Sequence, residues 1–326
     1  MKLVIAGYTA APAAKADASI YYKQLATVKR AEGLGLSWKD GQTESDIAEL
    51  LEVIPAHWMI TLNAVPSTFQ AWAKDHSFGL ASPDENGRQS AVRMVRKIAD
   101  TIKTINQKAG RQVILALEVQ AAPGFSDRIF VSAVDAFAKS MREIAEFEWH
   151  GAEVLVEHCD AYVEGQKPAK GFLQLSEIID VLKSLDSSPI KLSLNWGRSL
   201  IEVRDPYRVV DHVRQGSASG LLRAFTFSGT ADRESACGVA WADSHLVFSD
   251  TPDKTYADPA SLMTLKLAKE SLEEIDDLGF LAVKTNWPAA RTDPVERAAS
   301  VIANFNVVVG LLDRLQTTNE AKKVAI

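Results

Sequence analysis

Residues 113–118 read Val113-Ile114-Leu115-Ala116-Leu117-Glu118, an apolar run closed by a carboxylate. A strand with one wet face alternates apolar and polar residues. A run that is apolar at both parities belongs to a strand covered on both faces, as in a parallel sheet wrapped in helices. Just upstream, Val92, Val95, Ile98, Ala99, Ile102 and Ile105 recur at helical spacing and predict a helix over 90–105. The same alternation runs along the chain. Strands are expected over 2–7, 34–37, 58–63, 113–118, 153–157, 190–195, 222–227 and 280–284. Helices are expected over 18–31, 44–53, 90–105, 132–147, 176–185, 206–213, 261–278 and 294–315, with Asp17 as an N-cap and Pro294 opening the last. Eight βα units without a composition break predict an α/β protein with one (β/α)8 TIM barrel over residues 1–316 and a polar, fraying tail over 317–326. Two βα connections, 64–89 and 228–260, are long enough to serve as functional loops at the C-terminal face.

The 326 residues are 47% hydrophobic and 24% charged, a globular composition that excludes disorder, collagen and coiled coil as the main state. A net charge of −6 with no basic block makes nucleic acid and anionic membranes poor partners. Two cysteines, Cys159 and Cys237, are too few for a disulfide scaffold and fit a reducing cytoplasm. The apolar N-terminus is broken by Gly7 and Tyr8, short of the ~7–15 residues of a signal-peptide core, and reads as the first strand. No apolar run is read as approaching the ~20 residues of a membrane span.

Side chains alternate along a strand, and in a barrel the inward set lines the centre and ends at the mouth. With Val154 and Val156 outward, Leu155 and Glu157 point in. With Leu192 and Leu194 outward, Ser193 and Asn195 point in. With Leu281 and Val283 outward, Ala282 and Lys284 point in. The resulting ring is Tyr8, Asn63, Glu118, Glu157, Asn195, Thr226 or Ser228, and Lys284. Hydroxyls, amides and charges in one ring suit a polyhydroxylated ligand. Glu157-His158-Cys159-Asp160 is the densest cluster: Glu157 and His158 are acid–base or metal-ligand candidates, and Cys159 reads as a small buried residue. After strand 6, Trp196 offers a sugar a stacking face and Arg198 a carboxylate or phosphate clamp. Asp243 and His245 sit in the long strand-7 loop, placed to close over a ligand.

The element order, Glu157 ending strand 5 and Asn195-Trp196-Gly197-Arg198 after strand 6 resemble the xylose isomerase-like TIM-barrel superfamily, in a bacterial branch. That group holds sugar and sugar-phosphate isomerases and epimerases, with AP-endonuclease relatives. The resemblance implies a divalent metal (Mn, Zn, Co or Mg) held by Glu, Asp, His and Glu from strands 5 to 8, and no nucleotide cofactor. Glu157 matches the first ligand. Asn195 stands for the Asp, Arg198 for a second His often found on strand 6, Thr226 or Ser228 for the strand-7 His, and Lys284 for the strand-8 Glu. Lys284 beside a hard cation is repulsive, so a metal would need Glu118, Glu157 and Asp160, with His158, to converge.

Three functions are expected in turn. The first is a sugar or sugar-acid isomerase or epimerase, with Glu157 moving a proton next to a carbonyl. The second is a Schiff-base lyase or aldolase using Lys284. The third is a non-catalytic carbohydrate-binding barrel. All three imply a small-molecule carbohydrate as partner, and a homo-oligomer is compatible with each. DNA repair fits neither the charge nor the scattered histidines.

Overall fold

A computed structural model describes residues 1–124, 133–185 and 188–324. Eight parallel strands close into a barrel in chain order: β1 (Lys2–Ile5), β2 (Gly33–Ser37), β3 (Met59–Asn63), β4 (Ile114–Val119), β5 (Glu153–Glu157), β6 (Lys191–Asn195), β7 (Leu222–Phe227) and β8 (Phe280–Val283). The β1–β8 pairing from Lys2↔Phe280 to Ile5↔Val283 shuts it. The barrel centre is filled by Val4, Ala116, Leu155, Ala224, Phe280 and Ala282. Leu155, Ala224 and Ala282 therefore face inward, as their parity predicts, and the same parity carries Glu157 and Lys284 toward the mouth.

The outer layer comprises α1 (Lys15–Leu25), α2 (Thr43–Leu51), α3 (Val65–Lys74), α4 (Glu85–Ala109), α5 (Val134–Ala145), α6 (Leu175–Lys183), α7 (Trp196–Val203), α8 (Val209–Ala218), α9 (Leu265–Glu273) and α10 (Pro294–Val324). α4 starts at Asp84, whose side chain accepts from Gly87 N–H, and stops where Gly110 turns left-handed at φ 63°. Asp17 lies inside the first turn of α1 rather than capping it. There its charge still faces the positive helix end. Residues 64–89 are no open loop, because α3 forms there with Pro66 in its first turn. α7 has no counterpart among the expected helices, because it starts directly after β6, inside the connection before the expected 206–213 helix. The predicted 206–213 helix divides into a 3-10 turn, Pro206–Arg208, followed by α8. Ser132, the expected start of the helix before β5, lies outside the described residues.

One expectation is corrected. Within α10, Pro294–Thr317 is long and apolar enough to cross a bilayer, with a mean hydropathy of 1.4. Its apolar residues are interspersed with Arg297, Asn304 and Asn306, so no unbroken run reveals it. Ala298, Val301, Phe305 and Val308 are at most 1% exposed and belong to the core between barrel and helix layer. α10 is thus packed as a core helix and also covers α1. Phe305→Ala is expected to destabilise the fold by about 3–5 kcal/mol, the usual effect of emptying a buried aromatic site, as measured by urea unfolding.

Candidate functional site

The strand ends deliver a continuous polar cluster to the barrel mouth. From β3, Asn63 Nδ2 donates to Glu118 Oε2 at 2.8 Å and to Glu157 Oε2 at 2.7 Å. One amide thus bridges the carboxylates of β4 and β5. Ser193 Oγ of β6 donates to Glu118 Oε1 at 2.6 Å, and Gln120 Nε2 donates to Glu157 Oε2 at 3.1 Å. Arg198 Nη1 lies 2.6 Å from Glu157 Oε2, with both side chains at most 2% exposed. The local sequence explains how Arg198 gets there. Asn195 ends β6 and caps α7 by accepting from Arg198 N–H at 3.3 Å. A Cβ on Gly197 would stand 2.3 Å from the Ser228 carbonyl, so only glycine lets this turn settle on the end of β7.

The strand-7 connection closes the cluster from above. Asp243 Oδ2 receives Arg198 Nε and Nη2 at 3.3 Å and Lys170 Nζ at 2.7 Å. His245 Nδ1 is 2.8 Å from Ser228 Oγ and 3.3 Å from Asp243 Oδ1. Lys284 Nζ lies 5.1 Å from the Tyr8 ring centre, and no carboxylate among the described residues forms an ion pair with it.

Burial and charge divide the titrating groups. Burial and the neighbouring Glu157 push Glu118 up to about 7. Burial would also raise Glu157, but Arg198 and Lys284 outweigh it and hold Glu157 below the ordinary carboxylate value. Lys284 is lowered by burial and then by Arg198. Burial lowers His245 to about 3, so its imidazole is neutral at pH 7. Asp243 stays well below its ordinary value because Arg198 and Lys170 overcome its burial.

Of the expected ring, Tyr8, Asn63, Glu118, Glu157, Thr226 and Lys284 line one space at the mouth; Arg198 joins them through Glu157, Ser228 and His245 through Asp243, and Asn195 caps α7. Three expected residues lie elsewhere. Trp196 is 0% exposed within the apolar core and offers no stacking face. Asp160 accepts from the backbone N–H of Lys170 at 2.8 Å and Gly171 at 3.3 Å, so it anchors that loop instead of meeting Glu118 and Glu157. His158, of opposite parity to Glu157, contacts α7 and α8. Lys170, Gln120 and Ser193 complete the cluster. Ser193 was legible from β6 parity, whereas Lys170 arrives from a loop whose path no periodicity encodes.

A divalent ion does not fit this mouth. Glu157 Oε2 is taken by Arg198, Asn63 and Gln120, Asn195 Oδ1 caps α7, and Arg198 and Lys284 put two cations beside it. The space among Tyr8, Glu118, Glu157 and Lys284 is about 10 Å³. Above it lies a cavity of about 720 Å³ lined by Phe69, Lys170, Arg204, Trp241 and Asp243.

Residues 4–299 match the family described as a domain of unknown function, DUF4862. The chain is 37% identical over 222 residues to an uncharacterized protein of Salmonella typhimurium, covering 68% of this chain and 67% of that one. Solved structures share the xylose isomerase-like barrel at low identity. The IolI protein with a bound zinc atom has a TM-score of 0.58 at 13% identity, covering 96% of this chain and 99% of that one. D-psicose 3-epimerase with D-tagatose from Clostridium cellulolyticum H10 has 0.56 at 14%, covering 94% and 98%. A 3-keto-D-glucoside 4-epimerase from E. coli has 0.56 at 12%, covering 93% and 98%.

Between the ordinary carboxyl value of 4.5 and about 7, folded Glu118 holds a proton that the unfolded chain has lost. Its contribution to stability therefore falls as pH rises through that window. Glu118→Gln is expected to remove a loss on the order of 3 kcal/mol between pH 5 and pH 8, read by comparing urea unfolding of the two proteins at both pH values.

Proposed function

The chain belongs to the DUF4862 family, and we propose that it is a carbohydrate isomerase or epimerase that moves a proton next to a carbonyl between substrate and the Asn63-bridged Glu118–Glu157 pair. The observation that carries this reading is the division of that pair. Glu118 exchanges its proton near neutral pH, while Glu157 stays ionised beside Arg198. Two carboxyl groups bridged by one amide, with separated proton affinities, are an arrangement suited to acid–base chemistry. Glu157 is the base expected from the sequence, but its ion pair makes it a weak one. Glu118 takes the proton, and Glu157 keeps the site negative and orders Asn63.

Among the described residues Lys284 has no ion-pair partner, so its ammonium is available to the oxygen that gains charge as the proton leaves. The carbohydrate is held in the 720 Å³ cavity, where Phe69 and Trp241 offer apolar faces and Lys170 and Arg204 offer donors. Since the space beside the carboxylates is so small, the Asp243 segment must shift for a carbonyl to reach them. The barrel shared with sugar epimerases supports the substrate class by analogy only.

Lys284 also supports a second reading. Burial lowers its pKa, as a Schiff-base amine requires, although Glu157 works against this. Borohydride reduction with a panel of keto acids would then label Lys284. A panel that leaves it unlabelled eliminates the lyase.

The main test is proton exchange in D2O, followed by NMR, with ketoses, sugar acids and keto-glycosides as candidates. The wild-type protein is expected to wash deuterium into the carbon next to the carbonyl. Glu118→Gln should slow exchange by about 100-fold or more. Undiminished exchange in that variant would overturn the assignment to Glu118.

A further inference from the structure

Behind the mouth, a second set of side chains converges without a role in the chemistry above. His158 follows Glu157 and so leaves the end of β5 toward the helix layer. Its side chain is 0% exposed, and its Nε2 lies 3.1 Å from Glu202 Oε2 of α7. The other oxygen, Glu202 Oε1, lies 3.5 Å from Nε2 of His212 on α8. The two imidazole rings meet edge-on at 5.4 Å, and the donor atoms of all three residues lie within 4.8 Å of one another.

These contacts are poor as hydrogen bonds. Neither ring nitrogen of His158 has an aligned partner among the described residues, and His212 Nδ1 is likewise buried without one. Buried polar atoms are normally satisfied, so these imidazole nitrogens without an aligned partner leave room for a ligand to complete them. A zinc ion with ~2.0–2.1 Å bonds to nitrogen and ~2.0–2.2 Å bonds to oxygen holds tetrahedral donors about 3.3 Å apart. The His158 and His212 nitrogens lie 3.1 and 3.5 Å from the two different oxygens of Glu202, separations of that order.

We propose that His158, Glu202 and His212 form a site for a zinc-class divalent ion, tetrahedral, with an external fourth ligand. Two imidazoles and one carboxylate suit zinc or cobalt better than magnesium or calcium, which favour all-oxygen shells. Ala161 N–H donates to Glu202 Oε2 at 2.8 Å and orients the carboxylate. Glu202 and His212 are 12% and 13% exposed, which leaves the ion a path from solvent. The bound ion would tie β5, α7 and α8 together. Glu202 lies one turn beyond Arg198 on α7, so the ion would hold the helix that presents Arg198 to Glu157. It acts as a positioning element outside the barrel mouth, and this assignment does not depend on the proposed reaction.

The test uses the full chain, untagged and stripped with chelator, titrated with zinc by calorimetry and with cobalt by visible absorption. One ion per chain, the absorption of tetrahedral cobalt and a higher melting temperature with zinc are expected. Glu202→Gln and His212→Ala, checked by circular dichroism, should each weaken zinc binding by at least ~100-fold, whereas Glu157→Gln should keep the one-to-one stoichiometry. Failure of the stripped wild-type protein to bind zinc or cobalt overturns the site. So does binding that survives in His212→Ala but is lost in Glu157→Gln, which would move the ion to the barrel mouth.

Discussion

Arg198 and Glu157 meet at 2.6 Å with almost no exposure to water, and the mouth of the barrel is organised around that contact. Removing each ion from water costs several kcal/mol, and only complete satisfaction of both groups offsets it. A guanidinium cannot shed its proton, so the pair must remain ionic. Its other two nitrogens, Nε and Nη2, accordingly reach Asp243 Oδ2 at 3.3 Å, while Nη1 also lies 3.1 Å from Cys159 Sγ. Asp243 brings down the long connection after β7, and His245 bonds the same segment to Ser228. The closed top of the site is thus a consequence of a cation that needs more anionic oxygen than Glu157 alone supplies.

The same bookkeeping explains where the proton sits. Glu157 and Asp243 both contact Arg198, and Asp243 also takes Lys170, so each of these carboxylates has a cation against it. Asp160 is buried and raised, yet it receives two backbone N–H groups and lies 4.0 Å from Lys170 Nζ. Among the described residues Glu118 has neutral donors alone, Asn63 and Ser193, with the Glu157 charge across the shared amide. A proton is therefore held least expensively on Glu118, which titrates near neutrality because burial and the Glu157 charge disfavour its carboxylate.

What could be read from the sequence was whatever has a period. Alternation by two placed Leu155 inside the barrel and Glu157 at its mouth, and Ser193 and Asn195 likewise on β6. The helical repeat in α4 was equally plain. Contacts made through loops left no such trace. Lys170 finds Asp243 across 73 residues, and nothing local in Gln166-Lys167-Pro168-Ala169-Lys170 marks that lysine as buried. Trp196 was misread for a related reason. A tryptophan after a strand looks like a rim residue, but α7 begins there and rotates it into the core. α3 and α7 are extra helices inside the connections after β3 and β6, where the regular βα alternation already supplies one helix each, in α4 and α8.

The proposed proton transfer carries a general electrostatic requirement. Proton removal next to a carbonyl requires positive charge near the oxygen and a base kept from being neutralised by that charge. A divalent ion supplies charge but draws every carboxylate in reach into its own shell. Here the charge is divided between two side chains with different tasks. Arg198, capped into place by Asn195 and fitted against Ser228 through Gly197, saturates Glu157 and Asp243. Among the described residues that leaves Lys284 without an ion-pair partner and Glu118 without a cation in direct contact. Committing Arg198 to Glu157 and Asp243 allows a carboxyl group of near-neutral pKa and the Lys284 ammonium to line one buried space.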